Sequence, residues 1–370
     1  MMAPLLFLAA IDLAEVRSTA LDFLLDRQEN KSEWPYRGVY RVRGSQGLEN
    51  PIGYRVGGTA IVMQALLTLP ADDVRAKDRN LAMERARSFL VQAMDHPGMT
   101  HVFSETYDVR GWGWCYALET LIKLRRGNLV PEAALASHQQ AERHALGGIL
   151  ATEIQSGGWN YSRRSGFATG NPGEASPFMT VPTLRALRLA MQHGHVFPEE
   201  VLERGDAALV RSRTKAGGQA YAGSRPDPVP GSTGRMLAVE SYLVEVGSED
   251  LSKLRGALDS FFAHWERLEE RRQQRGTHVA PFGVAPYYYF MYAHDQASRA
   301  IMLLPRRERG EYARLLRARL EQVRDPGGTW NDRDPTDPRL ARTANYGTAM
   351  ALLSLDRIAT VADPREARNR

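Results

Sequence analysis

The sequence predicts an all-α chain whose helical hairpins close into a ring, and three observations predict it. First, six short helix-opening segments recur at nearly one interval. They are Gly57-Gly58-Thr59, Gly111-Trp112-Gly113-Trp114, Pro177-Phe178-Met179-Thr180, Gly231-Ser232-Thr233-Gly234, Pro286-Tyr287-Tyr288-Tyr289 and Asn345-Tyr346-Gly347-Thr348. Roughly 54 to 66 residues separate their starts, room for one return helix and one long loop, which is the signature of a repeated supersecondary unit. Second, two kinds of helix alternate, one apolar around most of its circumference and one with a single wet face. Third, neither end carries the polar cap that an open superhelix needs: the last apolar helix, Thr348 to Leu355, is as apolar as the first.

The elements follow in order. Wet-faced helices start near residues 12, 79, 131, 197, 249 and 307. In the second of them Met83, Ala86, Phe89, Leu90, Ala93 and Met94 form a stripe at helical spacing, opposite Glu84, Arg85 and Arg87. In the sixth, Tyr312, Leu316, Leu320 and Val323 repeat it. The apolar helices, such as Thr59 to Leu67 and Thr348 to Leu353, are rich in small residues that allow close packing. They form the inner ring and the amphipathic helices the outer one. The repeats run over about 12–70, 74–126, 131–193, 197–246, 249–304 and 307–358, without a linker, so residues 1–370 form a single domain.

Composition excludes several functions. A hydrophobic content of 43% supplies a large core. The pI near 9.3 suggests nucleic acid, but the basic residues are overwhelmingly Arg and alternate with Glu, as in Glu266 to Arg272. Such mixing makes a solvated helix face, and no nucleic-acid partner is expected. Cys115 is the single cysteine, so no intrachain disulfide forms and compartment cannot be read from cystine. The apolar start, Met1 to Ala10, lacks a basic region and is too short to span a bilayer. It reads as the lead-in to the first helix, which leans toward a cytoplasmic protein; no transmembrane segment is expected.

The long loops between outer and inner helices carry a second periodic signal. Gly157-Gly158-Trp159-Asn160-Tyr161, Gly217-Gly218-Gln219-Ala220-Tyr221 and Gly327-Gly328-Thr329-Trp330-Asn331 sit at matching places. The glycines supply the positive φ needed to leave a helix and turn back, and the following aromatic can pin the loop. Gln28 with Trp34, and Gln322 with Gly328-Thr329-Trp330, resemble the Q-x3-G-x-W repeat of squalene and hopene cyclases, with Ser32 in place of the glycine and two extra residues in the last copy. With the six-fold period, the chain resembles the α/α-toroid superfamily, which includes triterpene cyclases, protein prenyltransferase β-subunits and complement thioester domains. The resemblance covers nearly the whole chain and implies an (α/α)6 toroid.

The chemical signatures of that superfamily are missing. Asp332-Arg333-Asp334-Pro335-Thr336-Asp337 is not the D-x-D-D run of the proton-donating cyclases. Cys115 has no Asp two residues before it, as the prenyltransferase zinc site would require, and no thioester motif around it. Neither a metal nor a cofactor is therefore expected, and Cys115 reads as a small buried residue. No nucleophile elbow, P-loop, H-E-x-x-H or dinucleotide fingerprint occurs.

The ring architecture itself points to a site. Inner helices direct their N-termini to one rim, where water is excluded and partial positive charge gathers. Trp112, Trp114, Trp159, Tyr287, Tyr288 and Tyr346 are expected there as ligand-binding aromatics, with Arg235 placed to meet an anion. Each ring can equally be a plug. Asp108, His294 and Asp295 are the candidate catalytic groups: Asp295 could orient His294 or act as an acid of raised pKa, and Asp108 could instead cap its helix. Three readings follow. One is a terpenoid-cyclase-like or prenyltransferase-like toroid that binds a hydrophobic or ring-shaped small molecule, with a cavity of several hundred Å³. Another is a non-catalytic binding or scaffold protein whose centre is filled by tyrosines and whose acids are engaged in ion pairs. The last is a carbohydrate-active lyase or hydrolase with two carboxylates, or an Asp/Arg pair, facing each other across the rim.

Overall fold

The computed structural model describes residues 12–38, 40–44, 47–102, 108–161, 173–223, 229–273, 290–332 and 343–361. In chain order the helices are α1 (Leu13–Asp26), α2 (Ile52–Leu66), α3 (Ala76–Met94), α4 (Arg110–Arg126) and α5 (Leu135–Ala151). Then come α6 (Pro177–Gln192), α7 (Glu200–Arg211), α8 (Val229–Glu245), α9 (Leu251–Ala263) and α10 (Trp265–Gln273). The last three are α11 (Phe290–Leu303), α12 (Arg306–Gln322) and α13 (Ala344–Arg357). The only sheet among the described residues is a two-stranded hairpin, β1 (Val42–Gly44) with β2 (Gly47–Glu49), which the sequence pattern does not announce.

Six helices form a closed inner ring. α2 packs on α4, α4 on α6, α6 on α8, α8 on α11, α11 on α13, and α13 returns to α2. The fold is an (α/α)6 toroid. Each outer helix packs chiefly on the inner helix that precedes it: α3 on α2, α5 on α4, α7 on α6, α9 on α8 and α12 on α11. The sixth pair joins the two ends of the chain, α13 with α1. An Arg17–Asp356 ion pair fastens that seam, and Arg324, just past the end of α12, reaches Glu15 of α1 at 3.3 Å. The fifth outer segment is broken at His264 into α9 and α10, and the break leaves Trp265 fully buried.

Small residues set the inner spacing, as their enrichment predicts. A Cβ added to Gly57 would lie 2.3 Å from the Trp112 ring, so only glycine lets α4 lay that indole against α2.

One turn repeats around the ring and holds each loop in place. The backbone N–H of Glu29, Ile154, Thr214 and Asp325 donates to the carbonyl four residues on, at 2.8, 2.9, 3.0 and 2.8 Å respectively. The next residue in each copy is Trp34, Trp159, Gln219 or Trp330, and its side chain donates to the outer-helix carbonyl ten residues behind. The acceptors are Leu24 at 2.6 Å, Ile149 at 2.9 Å, Leu209 at 3.0 Å and Leu320 at 2.8 Å. The backbone N–H groups of the three tryptophans donate to Thr59, Thr180 and Thr348 Oγ1 on the next inner helix. Each loop is thereby bonded to both rings, and the bonds add a donor to carbonyls of the last outer-helix turn, of which Ile149, Leu209 and Leu320 also accept the backbone N–H three residues on. Gln28, read from the sequence as part of this repeat, donates to the Ala82 carbonyl of α3 at 2.9 Å.

Candidate functional site

Two residues after each pinned position the chain enters the ring at its N-terminal rim. Those positions hold Tyr36, Tyr161, Tyr221 and Asp332. They meet aromatics from the first two turns of the inner helices: Tyr54 of α2, Trp112 and Tyr116 of α4, Phe178 of α6, Tyr292 of α11 and Tyr346 of α13. Two strings of edge contacts result. Tyr36 lies 5.1 Å from Tyr54, 5.4 Å from Trp112 and 5.1 Å from Tyr346, and Trp112 lies 5.4 Å from Tyr116. Phe178 lies 4.9 Å from Tyr292 and 6.3 Å from Tyr161, whose hydroxyl bonds that of Tyr221. Such tilted and edge geometry is favourable beyond the area it buries.

Part of this aromatic floor keeps a margin of surface: Tyr36, Tyr54, Trp112, Tyr161 and Phe178 are 5–8% exposed, whereas Tyr292 and Tyr346, at 1% and 3%, are as covered as the pinning tryptophans, at 0–2%. The phenols stay protonated: burial, then the charge of Asp332, lifts Tyr346 well above its ordinary pKa, and burial does the same for Tyr116 and Tyr292. Asp332 itself is fully buried, and its Oδ1 accepts the Met291 N–H at the start of α11 at 2.8 Å.

Of the residues anticipated from the sequence, Trp112 and Tyr346 come together, 6.4 Å apart. Tyr287 and Tyr288 lie outside the described residues. Trp114 points the other way, into the α4–α5 interface beside Gly148 and edge-on to His101. Trp159 is a loop pin. Arg235 takes the place of the threonine in its repeat: Nε and Nη2 donate to the Gln219 carbonyl at 3.2 and 3.1 Å, with the guanidinium over the Tyr221 ring.

The three anticipated acid–base groups are dispersed. Asp108 caps α4 by accepting the Arg110 N–H at 2.9 Å and forms a two-pronged pair with the Arg110 guanidinium, which also holds the carbonyls of Thr100 and Val102. The expected pairing of His294 with Asp295 does not occur, because neighbours on a helix point about 100° apart. His294 faces outward: Nδ1 donates to the Phe290 carbonyl at 2.7 Å and Nε2 accepts from Trp265 Nε1 at 2.9 Å. Burial pushes its pKa down to about 4, so the ring is neutral.

Asp295 lies deeper along the ring axis, beyond the floor. Its carboxylate accepts from Arg357 at 2.9 Å, Arg299 at 3.0 Å and Gln296 at 2.9 Å. Burial alone would raise its pKa, but the two guanidinium groups outweigh burial and hold it well below the usual carboxylate range. This corrects the expectation of an acid with raised pKa. Glu119 follows the same logic: burial opposes ionisation, and Lys123, Arg299 and Arg185 overcome it. The small cavity beside these groups measures about 20 Å³, room for one water. No three His, Cys, Asp or Glu side chains among the described residues could hold a metal. Cys115 donates to the Trp112 carbonyl at 3.3 Å, and burial raises its thiol pKa.

The residues missed from the sequence are Tyr36, Tyr116, Tyr221 and Asp332. The signal for three of them was present: each lies two positions after a pinned residue, the spacing seen in Trp159-Asn160-Tyr161.

No family model matches the chain, and no curated protein matches it by sequence. Solved structures do match over nearly its whole length. The type II terpene cyclase MstE from Scytonema is 15% identical, with 95% of this chain and 98% of that one covered and a TM-score of 0.52. A possible member of the GH105 family from Salmonella enterica is 13% identical, with 96% and 97% covered and a TM-score of 0.54. An inactive variant of the α-1,6-mannanase GH76A of Salegentibacter sp. HEL1_6 is 11% identical, with 95% and 100% covered and a TM-score of 0.57. At these identities the likeness establishes the toroid fold. No described helix is long and apolar enough to cross a membrane.

Proposed function

We propose that the protein binds an apolar or ring-shaped small molecule on the aromatic floor at the N-terminal rim of its inner ring. One observation carries this reading: five of the six inner helices and three loops deliver aromatic side chains to one place, and most of those rings keep a margin of exposed surface. Edge-to-face rings present both apolar faces and positive edges, which suits an isoprenoid or a flat ring system. The charge of Asp332 reaches this floor, where it helps to raise the pKa of Tyr346.

Asp295, His294 and Asp108 serve structure in this reading. Two are held by arginines and the third is a neutral ring with both nitrogens bonded. MstE and the glycosidases share the fold, and aromatic floors also stack sugars, so the test offers both ligand classes. Native mass spectrometry with a panel of isoprenoid lipids and oligosaccharides should find a bound lipid on the wild type and on Asp295→Asn, and a loss of it in Trp112→Ala. Binding of neither class, with Trp112→Ala only less stable, would leave a toroid whose centre is filled for packing alone. Sugar binding lost in Trp112→Ala would replace the lipid with a glycan.

A further inference from the structure

A second cleft lies at the opposite end of α2 and α4 from the aromatic floor. It measures about 380 Å³, within the range of about 300–1,000 Å³ typical of small-molecule sites. Its walls are apolar: Leu66 and Leu69 at the end of α2, Met83 on α3 and Leu124 on α4, with the half-exposed Leu129 on its lip. Two arginines of α3 complete it, and they are in different electrostatic states. Arg87 is neutralised by Glu84, which receives Nε at 2.8 Å and Nη2 at 2.6 Å. Arg79 has no such partner among the described residues. Its Nη1 donates to the carbonyls of Leu69 and Pro70 at 3.0 and 2.8 Å and its Nε meets Asn80 at 3.4 Å, while Nη2 makes no hydrogen bond.

Arg79 is only 7% exposed. A guanidinium so covered is ordinarily paired with a carboxylate, because desolvating an uncompensated charge is expensive. We propose that this cleft binds an amphipathic carboxylate, its aliphatic body along Leu66, Leu69, Met83 and Leu124 and its head group on Arg79. An apolar trough closed by one unpaired cation complements an acid on an alkyl chain. The neutral Arg87–Glu84 pair neither competes for the head group nor repels it. The α2 and α4 helices, about 1.5 Å long per residue, place this cleft roughly 20 Å from the floor, so the site is independent of the function proposed above.

The test uses decanoate, with decanol as the uncharged control, titrated calorimetrically into the full chain. The wild type should bind decanoate at least about tenfold more tightly than decanol, and Arg79→Gln should erase that preference while Arg79→Lys retains most of it. Leu129→Trp, at a half-exposed position that folding tolerates, should block both ligands, and Trp112→Ala should change neither. Should Arg79→Gln fail to fold, the decanoate preference and Leu129→Trp decide the matter. The proposal is overturned if the wild type does not prefer decanoate, if Leu129→Trp leaves binding intact, or if Trp112→Ala abolishes it, which would put the fatty acid on the floor.

Discussion

Trp330 donates its indole N–H to the carbonyl of Leu320 at 2.8 Å, ten residues behind it, while Trp114 buries the same group with no hydrogen-bond partner among the described residues. One residue type therefore does two jobs in one ring. Trp330→Phe removes a buried donor and leaves the Leu320 carbonyl with the Val323 N–H alone, at 3.3 Å, which should cost about 0.5–1.5 kcal/mol. Trp114→Phe loses only packing area, and deleting an unsatisfied donor offsets part of that loss. Urea unfolding of the two variants should rank Trp330→Phe as the more damaging; the reverse order would mean that the loop pins contribute little.

The Asp295 network gives a prediction about pH. The folded carboxylate titrates below its ordinary range, so its stabilisation is complete above the unfolded value of about 3.9 and is lost as pH falls through the lower folded value. Asp295→Asn should therefore be less stable than wild type throughout pH 5–8 by a constant margin, with the gap closing only in strong acid. Asp295→Ala, which leaves Arg299 and Arg357 facing each other across a buried gap, should lose about 3–5 kcal/mol at neutral pH. Denaturant midpoints measured from pH 3 to pH 8 decide this.

His294 behaves differently. Its folded pKa of about 4 lies below the ordinary 6.5, so the unfolded chain takes up a proton first and stability declines as pH falls from about 6.5 toward 4. The full loss is about 3 kcal/mol at 1.36 kcal/mol per pH unit. His294→Gln should flatten the stability profile across that window and leave the region above pH 7 without slope. A profile as steep as that of wild type would place the titration elsewhere.

Gly57→Ala tests how closely the inner helices must approach. The new methyl would meet the Trp112 ring at 2.3 Å, and the indole is fixed by Tyr36, Tyr54 and Tyr346. Overpacking of this kind costs about 1–3 kcal/mol, and displacement of Trp112 should weaken any ligand of the floor as well. Thermal unfolding and ligand titration of the variant should both shift; a change in neither would show that the α2–α4 contact is slack.

The period, the two helix classes and the paired-glycine loops were legible because each is a property of spacing. Which way a side chain points on a helix buried on all sides was not. Trp112 and Trp114 lie two residues apart, about 200° around the helix, so only one can face the axis, and a uniformly apolar sequence leaves no stripe to tell which. The same holds for Tyr292, which faces the floor, and His294, which faces Trp265. The partners of Asp295 were hidden for another reason. Arg357 comes from a helix 62 residues away and Arg299 from the next turn, and no local pattern links the three.

Photolabelling with a diazirine-bearing isoprenoid probe, followed by peptide mapping, tests the proposed floor most directly. Label is predicted on peptides holding Tyr54, Trp112 and Tyr346, and it should be lost in Trp112→Ala. Label confined to the outer helices, or to the Leu66–Leu69 and Leu124–Leu129 segments, would contradict the assignment of the ligand to the centre of the ring.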